Sequence, residues 1–391
     1  MNEAQATAPR LPDLHSLMQE QPHDLRARGD FVLALKSWAV RECAAKVHAH
    51  YDARLAPGLE QRKGAPLSAT SLDDRQVAKD ALCDALPFQL WSKLSYESQG
   101  MKWQHVDRVV HENLELLQQI ADHYLAREHK LGSLTLDPHL ELPSNIRNHE
   151  IHRQPRGFAF EYHERDVSAG ALYNMGALIG PAVAAGRGRL KQNRSAGDFL
   201  CELVKARYPD LAPSAVLEIG CGTGRNTPAY KRAFPEARVV AVDCAPGLLR
   251  WAFVNAECQG AAVDFMQMDV SRMGFPDESF DLVASHIVGH ETSKKHLPLM
   301  IAEAWRVLRP GGVMFHMDVP IQPGRIGLCD QVLNDFQVRH NGEPFWMGWA
   351  DADIPGLMRA AGVPDECAFT GYDAPPERNS PWYCYGARKP G

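Results

Sequence analysis

Hydrophobic positions in the first third of the chain recur with a helical period. Between about Asp24 and Leu55, the residues Phe31, Leu33, Leu35, Trp38, Ala39 and Val47 keep that spacing, which predicts one long amphipathic helix. The stretch from Gly58 to Ala69, rich in Gly, Pro, Ser and Lys, reads as a connection. A second helix is expected over Leu72 to Leu86, with Ser71 as its cap and Asp73 and Asp74 in its first turn. A third runs from about Met101 to His129 on Val106, Val109, Val110, Leu114, Leu117, Ile120 and Leu125. Residues 1–155 are therefore expected to form an all-α domain, with Leu131 to Pro155 as its irregular exit.

The period then changes. Phe158, Phe160 and Tyr162 alternate as in an extended piece, and Leu172, Tyr173, Met175 and Leu178 follow in a stretch that reads as a short helix. Residues 156–191 are expected to connect the domains and to contribute to the functional site. From Gln192 onward, helices at Ala196 to Tyr208, Thr227 to Phe234, Leu248 to Cys258 and Leu297 to Leu308 alternate with strands. The strands are expected at Ala215 to Ile219, Ala237 to Val242, Ala262 to Met268, Phe280 to Ser285, Val313 to Met317, Cys367 to Gly371 and Trp382 to Ala387. This alternation implies an α/β domain over residues 192–391, with a doubly wound, mostly parallel seven-stranded sheet.

Composition narrows the partners. The 391 residues are 45% hydrophobic and 23% charged, ordinary values for a globular protein with more than one core. A net charge of −6 lacks the basic footprint of phosphate-backbone binding, so nucleic acid is not an expected partner. Nine cysteines without a Cys-x-x-Cys pair argue against both disulfides and a zinc ribbon. No apolar run reaches the roughly 18 residues a bilayer requires, and no leader pattern opens the chain, so a cytoplasmic location away from membranes is expected.

The strand Val216-Leu217-Glu218-Ile219 runs into Gly220-Cys221-Gly222-Thr223-Gly224, and a helix follows Arg225. Alternate glycines permit a tight turn whose backbone can touch a ligand, with the free N–H groups of a helix start behind it. The spacing differs from the Gly-x-Gly-x-x-Gly of dinucleotide loops, and the acid Glu218 precedes the first glycine by two places. Asp243 ends the next strand, 19 residues past Gly224, where a carboxylate can take both hydroxyls of a ribose. Asp269 with the Val270 amide after the third strand can take an adenine edge. The residues together describe a pocket for an adenosine without phosphates.

This ordered set resembles the class I, Rossmann-like methyltransferases that use S-adenosyl-L-methionine (SAM), over about the second half of the chain. The resemblance implies a cofactor site of Glu218, Gly220, Cys221, Gly222, Gly224, Asp243, Cys244, Asp269, Val270 and Ser285. It also matches the fourth-strand run Phe280-Asp281-Leu282-Val283 and the turn Leu308-Arg309-Pro310-Gly311-Gly312. Glu218 is open to a second reading, as a carboxylate that takes a backbone or basic partner near the loop.

Residues after the fourth strand should face the transferred methyl group. Here His290-Glu291 sits where small-molecule O-methyltransferases carry a catalytic His followed by an acid, although Thr292 replaces that family's Trp. The expected reaction is methyl transfer to a hydroxyl or carboxyl oxygen of a small molecule, with His290 as general base, Glu291 beside it and His286 as a further site residue. The other role open to His290 is to orient substrate. Tyr162, Tyr173, Phe345, Trp346 and Trp349 are expected to wall the acceptor site. No metal is expected, because His286, His290 and Glu291 lack further ligands at a clear spacing. The alternative is S-methylation of a methionine-like thioether, with Arg156, Arg153 or His152 on its carboxylate. A protein or RNA methyltransferase is disfavoured by the missing Asn/Asp-Pro-Pro-Tyr motif, and a nicotinamide oxidoreductase by the loop spacing. Apolar stripes on the N-terminal helices suggest a homodimer.

Overall fold

The computed structural model describes residues 9–11, 21–185, 195–321, 324–375 and 381–391, with backbone alone for 177–185. Its N-terminal helical run begins with His23–Trp38 and passes through a π-turn Ala39–Cys43, Ala44–His50, a second π-turn Tyr51–Leu55 and Ala56–Lys63. The connection expected from Gly58 starts later, because Pro57 falls in the first turn of the last segment, where its missing N–H costs nothing. The run stops at Gly64, whose φ of 75° ends it in the left-handed region.

Leu72–Cys83 is capped by the Ser71 side chain, which accepts from the Asp74 amide. The helix expected from Met101 begins earlier, as Leu86–Glu112, and yields to Leu114–Leu125 at Asn113, whose side chain donates to the Val109 carbonyl.

Phe158, Phe160 and Tyr162 form no strand. Arg156 lies over the rings of Phe160 and Tyr162, at 4.7 and 5.5 Å, while Phe158 packs edge-on against Tyr173 at 5.2 Å, so the alternation reflects side-chain stacking and not pleating. The following helix is not short but runs over Ser168–Ala185.

One eight-stranded sheet forms the centre: β1 Ser133–Thr135, β2 Ala215–Ile219, β3 Arg238–Asp243, β4 Asp264–Gln267, β5 Phe280–His286, β6 Leu308–Asp318, β7 Ala368–Asp373 and β8 Trp382–Arg388. Their order is β1-β4-β3-β2-β5-β6-β8-β7, parallel except for β8 against β6 and β7 against β8. The eighth strand, β1, lies in the segment expected to be irregular. With Leu134 as its one apolar residue it has no readable period, and it forms by pairing with β4. Order reverses between β2 and β5, so a crevice opens beyond their carboxyl ends.

The helix Ser168–Ala185 packs on Leu86–Glu112 from one side and on Pro246–Cys258 from the other. One apolar cluster thus reaches from Leu25, Trp103 and Val109 through Leu172 to Leu217 and Val283. A separate cluster joins Val47, Leu82, Phe88 and Trp91 to Val332 and Leu333 of the helix Leu328–Asn341, an element with no expectation from the sequence.

Two lysines are buried where these helices meet. Lys36 donates to Gln99 Oε1 at 2.9 Å, and Lys102 lies over the Trp103 ring at 4.1 Å. Desolvation, with the charge of Lys36, lowers Lys102 from 10.5 to about 7. The unfolded chain therefore binds this proton across a pH window in which the folded chain does not, and the contribution of this lysine to stability should rise with pH from about 7 to 10.5. Lys102→Met is expected to raise Tm at pH 7 by a few degrees and to flatten that slope, as thermal melts across this pH range would show.

Candidate functional site

β2 ends in the glycine loop, where Gly220, Gly222 and Gly224 all have positive φ, at 65°, 54° and 66°. At Gly220 a Cβ would meet Val288 Cγ2 at 2.6 Å, so glycine lets the loop lie against the chain that follows β5. The Gly222 amide donates to Asp243 Oδ2 at 2.9 Å, and the Ala245 amide donates to Oδ1 at 3.0 Å. Asp243 is thereby fixed at the end of β3 with acceptor capacity left on both oxygens. Burial raises its carboxyl above the ordinary range, against the lowering effect of these amides. Hydroxyl donors from a ligand would favour its ionised form.

Gly220, Gly222, Asp243, Cys244, Asp269 and Val270 line one cavity, which encloses about 760 Å³ with its open mouth included. Asp269 is held by Ser271, whose amide and hydroxyl donate to Oδ1 at 2.8 and 2.7 Å. The other four expected cofactor residues do not line it. Cys221 uses its amide on the Val242 carbonyl, and Gly224 packs on Ala252. Ser285 is buried against His316 Nδ1 at 2.8 Å. Glu218 lies buried under the loop and accepts from the Thr227 hydroxyl, so its partner is a hydroxyl and neither a backbone nor a basic group. Burial pushes Glu218 up to about 8, against the Thr227 hydrogen bond and assisted by Asp243.

On the other wall, Ile287, Val288, Glu291, Thr292 and His296 follow β5 and face Pro143, Asn145, Ile146, Phe158 and Tyr173. His290 stands behind this wall and not on it. Its Nδ1 donates to Asp318 Oδ1 at 2.6 Å, and its Nε2 lies 3.5 Å from Glu291 Oε1. Burial alone would lower this imidazole, but Asp318, Glu291 and Glu343 hold it up at about 9. Glu291 also takes His152 Nε2 at 2.7 Å, and His152 Nδ1 lies 3.4 Å from Glu343 Oε1. Burial works against the charge of His152 as well, yet the two glutamates keep it protonated to about 10. The two imidazoles hold Glu291 below the ordinary carboxylate range despite its burial.

His286 is outside the cavity, its Nδ1 3.0 Å from Asn226 Nδ2 and its ring on Trp382. Of the five aromatic residues expected at the acceptor, only Tyr173 lines the cavity. Tyr162 is 52% exposed, because Arg156 and His111 hold it at the surface. Phe345 packs edge-on against His149 at 5.5 Å. Trp346 packs on the His290 ring at 4.9 Å. Trp349 is fully buried, donates to the Val319 carbonyl at 2.9 Å and belongs to the core. Arg153 and Arg156 are turned away, donating to the Tyr96 carbonyl at 2.8 Å and to Asp107 at 2.6 Å.

Asp318 and Glu343 had no part in the sequence reading of the site, and His152 entered it only as a candidate partner for a substrate carboxylate and not for Glu291. Asp318 carried a usable signal, since it ends a strand as Asp243 does; the other two sit in irregular segments. Among the described residues no cluster of three or more His, Cys, Asp or Glu side chains could hold a metal ion, and no helix is long and apolar enough to cross a membrane.

Residues 216–312 match the family model described as a methyltransferase domain. The chain is 34% identical over 122 residues to the demethylmenaquinone methyltransferase of Thermus thermophilus, covering 31% of this chain and 54% of that protein. It is likewise 34% identical over 115 residues to the malonyl-[acyl-carrier protein] O-methyltransferase of Dechloromonas aromatica, covering 29% and 40%. The chain thus spans about half the length of these relatives or less. Among solved structures, the Haemonchus contortus phosphoethanolamine N-methyltransferase 2 aligns with 14% identity and a TM-score of 0.41, over 55% of this chain and 57% of that one. The part that carries the glycine loop, Asp243 and Asp269 is a methyltransferase domain of the class I, SAM-dependent type.

Asp243→Ala is expected to weaken S-adenosylhomocysteine binding by about a hundredfold, through the loss of charge-assisted hydrogen bonds. Calorimetry should also show wild-type affinity falling as pH drops through the raised titration of Asp243, because protonation removes the acceptor. The variant should lose that dependence.

Proposed function

We propose that the whole chain is a methyltransferase that moves the methyl group of SAM to a small-molecule acceptor, in the first instance an oxygen. The observation that carries this reading is Asp243, buried at the end of β3 with acceptor capacity left on both carboxylate oxygens beside the glycine loop. When bound, the cofactor supplies an electrophilic methyl group. Asp243 would hold the ribose, Asp269 and Val270 the adenine edge, and the loop backbone the remainder, while Phe158 and Tyr173 exclude water. An acceptor in the cavity meets Glu291, which can take its proton and pass it to His290 Nε2. The relatives named above carry different acceptors, so they support the class of reaction and not one substrate. A thioether is the second reading, favoured by the carboxylate of Glu291, which would stabilise a sulfonium product.

His290 must be neutral to receive a proton, so turnover on an oxygen acceptor should climb with pH toward about 9 and then level. His290→Gln should cost about a hundredfold in turnover, keep SAM affinity and remove the climb. A screen with labelled SAM over hydroxyl and thioether acceptors, followed by pH profiles on the best substrate, checks this. A flat wild-type profile would reject His290 as the proton's destination and favour the thioether.

The helices of residues 1–155 are proposed as a dimerisation module, supported by Leu86 and Leu90, one turn apart and 75% and 50% exposed. The free cysteines fit a reducing, cytoplasmic compartment. Light scattering should find a dimer for the wild type and a monomer for Leu86→Glu combined with Leu90→Glu.

A further inference from the structure

Glu291 and four side chains about it form one continuous line, Asp318, His290, Glu291, His152 and Glu343, of which Asp318, His290 and Glu343 are buried and Glu291 and His152 half-buried. Both imidazoles reach the same oxygen, Oε1, at 2.7 Å from His152 and 3.5 Å from His290, and each is held at its far nitrogen by another carboxylate. Among the described residues nothing donates to Oε2, although Glu291 lines the cavity. A carboxylate with one oxygen clamped and the other turned to a ligand space is built to accept a hydrogen bond.

His152 is brought there at a conformational cost. It sits at φ 58°, with Arg153 at 59° and Arg156 at 68°, in a run of left-handed residues other than glycine. The run is clamped from outside. The His152 amide donates to the Gly342 carbonyl at 2.8 Å, and its own carbonyl accepts from Trp103 Nε1 and from Gln99 Nε2. Helices of the first third therefore hold the turn that presents His152 to Glu291.

The rest of the acceptor wall is largely apolar, with Ile146, Phe158, Leu248, Ile287 and Val288; its polar members are Asn145, Tyr173, Thr292 and His296, and no Lys or Arg is among its described lining residues. An anionic group there would face Glu291 with His152 and His290 already engaged on carboxylates and with His296, whose Nδ1 is taken by the Ser293 hydroxyl at 2.7 Å, as the one further imidazole among the described lining residues.

We propose that Glu291 Oε2 anchors the acceptor, and that the acceptor is an uncharged or cationic molecule with an apolar body that presents an O–H or N–H to it. His152 is a positioning residue that acts through Glu291. This rests on the methyltransferase reading and narrows its substrate class, setting aside the carboxyl oxygen and the methionine-like acid.

The test titrates full-length protein, loaded with S-adenosylhomocysteine, by calorimetry with para-phenylphenol, para-phenylbenzylamine and para-phenylbenzoate, which share one apolar body. The phenol and the amine should bind about tenfold more tightly than the benzoate. Glu291→Gln should reduce that preference to about threefold or less, and Glu291→Asp, which keeps the charge, should retain most of it. His152→Gln should weaken the phenol and the amine by about threefold or more with S-adenosylhomocysteine affinity unchanged, a split that general loss of structure would not give. The proposal is overturned if the benzoate binds as tightly as the others, if the preference survives Glu291→Gln, or if none of the three binds the loaded protein. Failure of the wild type to take up S-adenosylhomocysteine would instead overturn the methyltransferase reading beneath it.

Discussion

The carboxylate of Asp318 is the point on which the site hangs. Buried at the end of β6, it accepts from the Gly289 amide at 2.7 Å, the Val319 amide at 2.7 Å and His290 Nδ1 at 2.6 Å. Charge-assisted bonds of this kind are worth roughly 1.5–3 kcal/mol each where water is excluded. They tie the chain leaving β5 to the neighbouring strand, and so decide where Val288, His290 and Glu291 stand. Val288 in turn lies where a Cβ on Gly220 would be, so the cofactor loop and the acceptor wall are set by the same anchor.

That the glycine loop, Asp243 and Asp269 would meet at one cavity was legible because their geometry is local. Three alternate glycines require a turn, and acids at successive strand ends point into the crevice that parallel strands leave open. Glu218 shows the limit of that logic. Its position in the motif is right, yet it lies beneath the loop with Thr227, nine residues on, as its partner. Nothing in the spacing separates a carboxylate that touches a ligand from one that supports the turn.

What the sequence did not yield was fixed by distant contacts. β1 exists because β4 offers it an edge, and Leu328–Asn341 is held by Phe88 and Trp91, more than two hundred residues earlier. Aromatic residues misled for the same reason. Trp349 and Tyr162 look alike as candidate pocket walls, but one fills the core beneath Val319 while the other lies on Arg156 at the surface. Arg153 and Arg156 looked like carboxylate clamps, and each is instead used to brace the turn that carries His152.

The stretch that matches the methyltransferase-domain model explains why the two sides of the proposed site differ so much in legibility. Residues 216–312 include the glycine loop, Asp243, Asp269 and the Glu291 segment. They exclude Asp318, His152, Glu343, Phe158 and Tyr173, the groups that orient Glu291 or face it across the cavity. A cofactor common to many enzymes asks for the same contacts in each, so those contacts fit within one contiguous run of strands and turns. An acceptor peculiar to one enzyme is enclosed by whatever elements the rest of the chain can bring over the sheet. Here these are a turn bent through left-handed φ values, a helix that starts at Ser168 and the loop after Asn341. On the proposal above, selectivity between acceptors rests on how the flanking helices hold His152 against Glu291, a relation that spans the chain and has no local sequence pattern.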